Sequence, residues 1–171
     1  KEVILNNSIS LLEYKLADGI QKIKRQTRQV VAFTSGQGEL NPLQTASLEN
    51  DLSNSYAVNR INLDSIVQIP SEIKVLIIAK PTEEFSEAHL FMLDQYIMNG
   101  GHVMFLIDPL IVSLDSINQN KSYIPPPYNL GLDPLLFKLG ARVNPNLVLD
   151  LQCTRIPMVV GMQGDKPQTE L

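Results

Sequence analysis

Two apolar runs, "VLIIA" at 75–79 and "VMFLI" at 103–107, flank a segment of helical spacing, and no other feature constrains the fold as much. A strand that is apolar on both faces needs cover on both, as in a parallel sheet sandwiched between helices. The segment between them supplies that cover. Over 86–99, Leu90, Leu93 and Ile97 recur at three- and four-residue steps, Ser86 suits the N-cap, and Gly100-Gly101 ends the helix. Strand, helix, strand in this order joins parallel neighbours by a crossover.

The same alternation begins upstream. An apolar strand over 29–34 runs into a glycine loop, "SGQGE", and then into a helix over 43–55 with Leu48, Leu52 and Tyr56 on one side. "YAVNRINL" (56–63) alternates imperfectly and reads as a strand near a sheet edge. Before all of these, Ile9, Leu12, Leu16, Ile20 and Ile23 mark an amphipathic helix over 8–24. The basic cluster Lys22, Lys24, Arg25 and Arg28 suits the carboxyl end of that helix, where cations complement the macrodipole. Downstream, 110–129 lacks periodicity and contains "YIPPPY" (123–128), either a rigid connector or a lid or docking strip. A short helix is expected over 133–140, a strand or extended pair broken at Pro145 over 141–150, and a last apolar stretch at Ile156–Val160. The expected architecture is a three-layer α/β domain over 29–171 with a mostly parallel sheet, and the helix within 1–28 packed on it.

Composition excludes several classes. With 44% hydrophobic and 19% charged residues the 171-residue chain is globular, and a net charge of −4 gives no basic field for nucleic acid. The lone Cys153 forms no internal disulfide, and Cys/His zinc spacing is missing. No apolar run approaches the roughly 20 residues of a membrane span. The chain reads as a C-terminally truncated piece of a longer protein, with any membrane anchor outside it.

Ligands of open α/β sheets bind at the carboxyl ends of the strands. Three polar clusters are expected there: Ser35, Gly36, Gln37, Gly38 and Glu39; Lys80 and Thr82; and Asp108. The first is not a nucleotide loop. Asn41 stands where a dinucleotide fingerprint needs its third glycine, no Gly-Lys-Ser/Thr follows, and Glu39 puts an anion where phosphate would sit. Asp64 lies beyond the second strand, off the place of a ribose-binding acid. A nucleophile elbow fails because Thr34, not glycine, precedes Ser35. Cys153 has no histidine nearby in sequence, and His89 and His102 read as surface or edge histidines. Glu83-Glu84 reads as a charged loop ahead of a helix N-terminus. Nothing here calls for a metal or a cofactor.

Several segments in order resemble one family, the GldG-type auxiliary component of the gliding-motility-associated ABC transporter of Bacteroidetes. They are "VAFTSGQGEL", "VLIIAKPTEEFSE", "LDQYIMNGGHVMFLIDPL", "SLDSI", "PYNLGLDPLLFKLGARVNPNLVLDLQC" and "IPMVVG", spanning about 16–164. The resemblance implies a Rossmann-like fold related to glutamine-amidotransferase-like domains. It also implies an inner-membrane-anchored protein whose soluble part faces the periplasm, beside permease and ATPase subunits. Amidotransferase chemistry does not carry over: Asp108-Pro109-Leu110 follows "VMFLI", with Ser113 and Ser116 only further on. Relatives show "SGHGE" at the first loop where this chain has Gln37, which also speaks against acid–base work there. The function so implied is a non-catalytic module acting by protein or ligand binding. The alternative is a sugar or peptide receptor using the cleft at Ser35–Glu39, Lys80, Thr82 and Asp108.

Overall fold

The structure, a computed structural model, describes residues 12–24, 27–112, 124–148, 152, 158–163 and 166–170. Cys153, Ser113, Ser116 and the start of "YIPPPY" lie outside the described residues, as do Ile9 and Arg25. Helix α1 spans Leu12–Lys24, and its Leu16 and Ile20 side chains are exposed. Strand β1 (Val30–Ser35) leads to α2 (Pro42–Ser53) and β2 (Ala57–Asn62), which ends in a short 3-10 turn at Leu63–Ser65. Strand β3 (Ile73–Ala79), α3 (Glu87–Met98) and β4 (His102–Leu106) follow. A short α4 (Asp133–Lys138) and an antiparallel hairpin, β5 (Met158–Gln163) with β6 (Lys166–Glu170), complete the described elements.

The central sheet has the order β2-β1-β3-β4 and every pairing in it is parallel. The crossover through α2 moves outward from β1 to β2, and that through α3 moves the opposite way from β3 to β4. Right-handed crossovers in opposite directions put their helices on opposite faces. The two cores agree: Val31, Phe33, Ile77 and Ala79 pack with Leu52 and Tyr56, while Ala32, Leu76 and Ile78 pack with Met92, Leu93, Tyr96, Leu135 and Leu136. The expected Rossmann-like three-layer α/β fold is therefore the observed one. Leu76, Ile78 and Leu93 are fully buried, and truncating any of them to alanine costs about 2–5 kcal/mol.

Local chemistry sets the helix starts. Asn41 caps α2 through Leu43 N and Gln44 N, and Gln44 Oε1 accepts from Asn41 N in return. Arg60 on β2 then ties strand to helix. It donates to Thr45 Oγ1 at 2.8 Å and to Leu40 O at 3.0 Å, pairs with Glu49, and lies over the Phe33 ring.

One expectation is corrected. Strand β4 is not buried on both faces: His102, Met104 and Leu106 are exposed while Val103 and Phe105 face the core. It is a sheet edge, and among the described residues no helix covers its α2-side face. Residues 141–148 form no regular strand, and the break expected at Pro145 is there, with a turn at Asn144–Asn146. No described helix is long and apolar enough to cross a membrane.

Candidate functional site

All four sheet strands are parallel, so Ser35, Asn62, Ala79 and Leu106 end at one rim of the sheet. The chain leaves β1 and β3 toward opposite faces, which opens a crevice between them. Here the crevice is closed by its own loops. Thr82 N and Glu83 N both donate to Gln37 O at 3.0 Å, Leu40 N donates to Ala79 O at 3.0 Å, and Thr82 Oγ1 donates to Gly38 O at 3.1 Å. Gly38 has φ 69, and a Cβ there would collide with Thr82 Oγ1. Only glycine lets the two loops close this tightly.

Glu39 turns back on its own loop, where Gln37 N donates to Glu39 Oε2 at 2.7 Å. A carboxylate of the chain thus takes the backbone donor that a bound phosphate would use. Gln37 is 3% exposed and its Nε2 lies 3.4 Å from Asp64 Oδ2. Gln37 Oε1 and Glu39 Oε1 are buried with no donor among the described residues. Asp64 sits in the 3-10 turn after β2 and pairs with His89 Nε2 at 3.0 Å. His89 Nδ1 accepts from Ser86 N at 3.4 Å, which places the imidazole proton on Nε2, toward Asp64. The reading of His89 as a surface or edge histidine is corrected: it is 9% exposed, and both ring nitrogens are engaged. His102 is the exposed edge histidine expected.

Lys80 and Asp108 meet at the next strand ends, with Nζ–Oδ2 at 3.1 Å and side chains 46% and 59% exposed. Among the described residues Lys80 is the non-glycine with a positive φ, 52, and it precedes the buried Pro81. Lys80 N donates to Leu106 O at 2.8 Å, holding the backbone in place. A left-handed non-glycine costs about 1 kcal/mol or more, while an exposed ion pair returns about 0–1 kcal/mol. The ion pair alone does not offset the strain. Beside the pair lies an open cavity of about 230 Å³ lined by Lys80, Asp108, Leu110, Tyr128, Asn146 and Leu147 among others. The "IPPP" strip forms part of its frame: Leu110 bridges Pro127, Ile111 N donates to Pro126 O and Tyr128 N to Pro109 O.

The eight predicted residues therefore form three groups. Gln37, Gly38, Glu39 and Thr82, with Gly36, belong to the clamped loops. Lys80 and Asp108 border the cavity. Ser35 points away, its Oγ donating to Ile61 O at 3.1 Å. Asp64 and His89 were not assigned to the rim from the sequence, although Ser86-x-x-His89 has the spacing of a capping box and could have placed His89 at the start of α3. No group of three or more metal-ligating side chains occurs among the described residues.

A second concavity lies at the opposite end of the sheet, a groove of about 480 Å³. Val67, Ile69, Phe91, Met92 and Tyr96 line it, with Val67 and Phe91 strongly exposed.

This arrangement of a closed first loop, a Lys-Pro turn after β3 and an Asp-Pro turn after β4 falls within residues 28–171, which match the family described as an ABC-type uncharacterized transport system. The chain belongs to this family. It is thus an auxiliary component of an ABC-type transport system. No curated protein matches this ABC-transport auxiliary chain. Among solved structures, the mmIFT52 N-terminal domain is similar at 24% identity and a TM-score of 0.39. That likeness covers 46% of this chain and 35% of the other, so the chain spans about a third of that structure's length.

Proposed function

We propose that this auxiliary component is a non-catalytic binding module, held at the inner membrane with this region facing the periplasm. It serves a transporter of the gliding-motility or export kind. The observation that carries the reading is how the acid–base groups at the strand ends are engaged. His89 has no free nitrogen, Glu39 binds its own loop through one carboxylate oxygen, and Lys80 is paired with Asp108. A general base needs a free lone pair within reach of substrate; the unpaired Glu39 Oε1 is buried away from it, and Asp108 is a solvated carboxylate beside Lys80. The family supports association with transporter components, and the exposed groove at Val67 and Phe91 is a surface of the kind that protein partners cover.

The test is purification of the full-length protein from its own membranes, looking for the permease and ATPase subunits. Both are expected to co-purify with the wild type and to be lost on Val67→Glu/Phe91→Glu. Recovery of neither subunit with the wild type overturns the reading.

A second reading, a small-molecule receptor, is favoured by a different observation: the cavity beside Lys80 and Asp108. The two are compatible, since a transport auxiliary can read a ligand at one end and a subunit at the other.

A further inference from the structure

We propose that the Lys80–Asp108 pair binds the zwitterion of an amino-acid-sized ligand with an apolar side chain; this rests on the receptor reading above. Lys80 is the starting point. Its backbone is held left-handed by Leu106 O and Pro81, so that its side chain stands at the cavity, and the exposed pair it makes does not compensate that conformation. A lysine kept at a strained position that glycine would occupy more easily is there for its ammonium group.

The class of ligand follows from what surrounds that group. Lys80 Nζ and Asp108 Oδ2 present one cation and one anion 3.1 Å apart. A ligand carrying only one charge meets only one of the two groups and leaves the other to water. A zwitterion exchanges both contacts at once, its carboxylate meeting Lys80 and its ammonium meeting Asp108. At about 230 Å³ the cavity is smaller than the roughly 300–1,000 Å³ of drug-sized sites. Leu110, Val112 and Leu147 give it an aliphatic wall that suits an alkyl side chain. Tyr128 and Asn146 add polar groups to the same cavity.

L-leucine is the probe, titrated calorimetrically into the full-length protein. Binding is expected, weakened at least tenfold by Lys80→Met and by Asp108→Asn. Leucine amide and N-acetyl-leucine, each lacking one charge, are expected to bind at least tenfold more weakly than leucine. Lys80→Gly relieves the backbone and keeps the fold while removing the ammonium, so it too must lose binding. Equal affinity for the charge-capped forms, binding unchanged in Lys80→Gly, or glucose binding in place of leucine each overturns the proposal. Absence of any leucine binding overturns it as well. Permease and ATPase co-purification is scored in the same preparation, so failure here leaves the transport-module reading standing or falling on its own result.

Discussion

Arg60 on β2 and Lys80 just past β3 each pair with a carboxylate, yet they are built differently. Arg60 has several partners at once: Glu49, the Thr45 hydroxyl, the Leu40 carbonyl and the Phe33 ring, with the pair's side chains 22% and 27% exposed. Lys80 has one charged partner, both side chains about half exposed, and a left-handed backbone. A planar guanidinium with many fixed acceptors joins β2, α2 and the end of the glycine loop. A flexible ammonium with one exchangeable partner holds nothing together. The contrast separates an ion pair that makes the fold from one that the fold presents.

The largest effect is expected at the first pair. Arg60→Met should destabilise by about 2–3 kcal/mol, because it leaves the Leu40 carbonyl without its side-chain donor and Glu49 without its cation, with only the Thr45 hydroxyl still donating to it. Urea unfolding gives the number. A loss below about 0.5 kcal/mol would put Arg60 in the same class as Lys80 and erase the contrast.

The same network predicts an acid response. The Thr45 hydroxyl's hydrogen bond, then Arg60's hydrogen bond and charge, hold the Glu49 carboxyl below its ordinary value of 4.5, against the opposing effect of burial. A carboxylate lowered in the folded state contributes stability that is present above its unfolded pKa and fades as pH falls through the lowered one. Stability should therefore drop below about pH 4.5, and Glu49→Gln should flatten part of that drop in unfolding measured from pH 6 to 3. Tyr96 works at the alkaline end. Burial raises its phenol above 10.0, opposed by a backbone hydrogen bond from His102, so its contribution is complete below pH 10 and lost above it.

Gly38 tests whether the loop between the two pairs is rigid in its own right. Gly38→Ala places a Cβ against Thr82 Oγ1 at φ 69, and a cost of about 1–3 kcal/mol is expected. Hydrogen exchange at Thr82 and Glu83, whose amides bond to Gln37 O, should speed up. Unchanged protection there would mean that the closure of the two loops does not depend on glycine at position 38.

The sequence carried the parallel sheet because its signals are local. The apolar run of β3, the Leu90, Leu93 and Ile97 stripe, the Ser86 cap and the Gly100 stop all lie within a few turns of chain. It did not carry the exposure of β4, since five apolar residues look alike on a central and an edge strand until the neighbours are known. The Asp64–His89 and Arg60–Glu49 pairs span 25 and 11 residues and depend on which loops meet at the rim. The eight candidate residues lie at the carboxyl ends of the strands, where strand order alone puts them. That they close on one another rather than around one cleft depends on carbonyl and amide positions, which residue identity does not encode.

The smallest effect decides most about Lys80. Lys80→Ala removes the exposed pair and keeps the left-handed strain, so its stability should lie within about 0.5 kcal/mol of the wild type. Lys80→Gly removes the same pair and the strain together, and should be more stable than Lys80→Ala by about 1 kcal/mol. Paired urea titrations resolve that gap. If alanine and glycine prove equal, the backbone at residue 80 is unstrained and the ammonium is no longer held against a cost. If alanine falls well below the wild type, the pair with Asp108 is architectural like that of Arg60. A glycine variant at least as stable as the wild type would show that this position is kept for what the lysine touches rather than for what it supports.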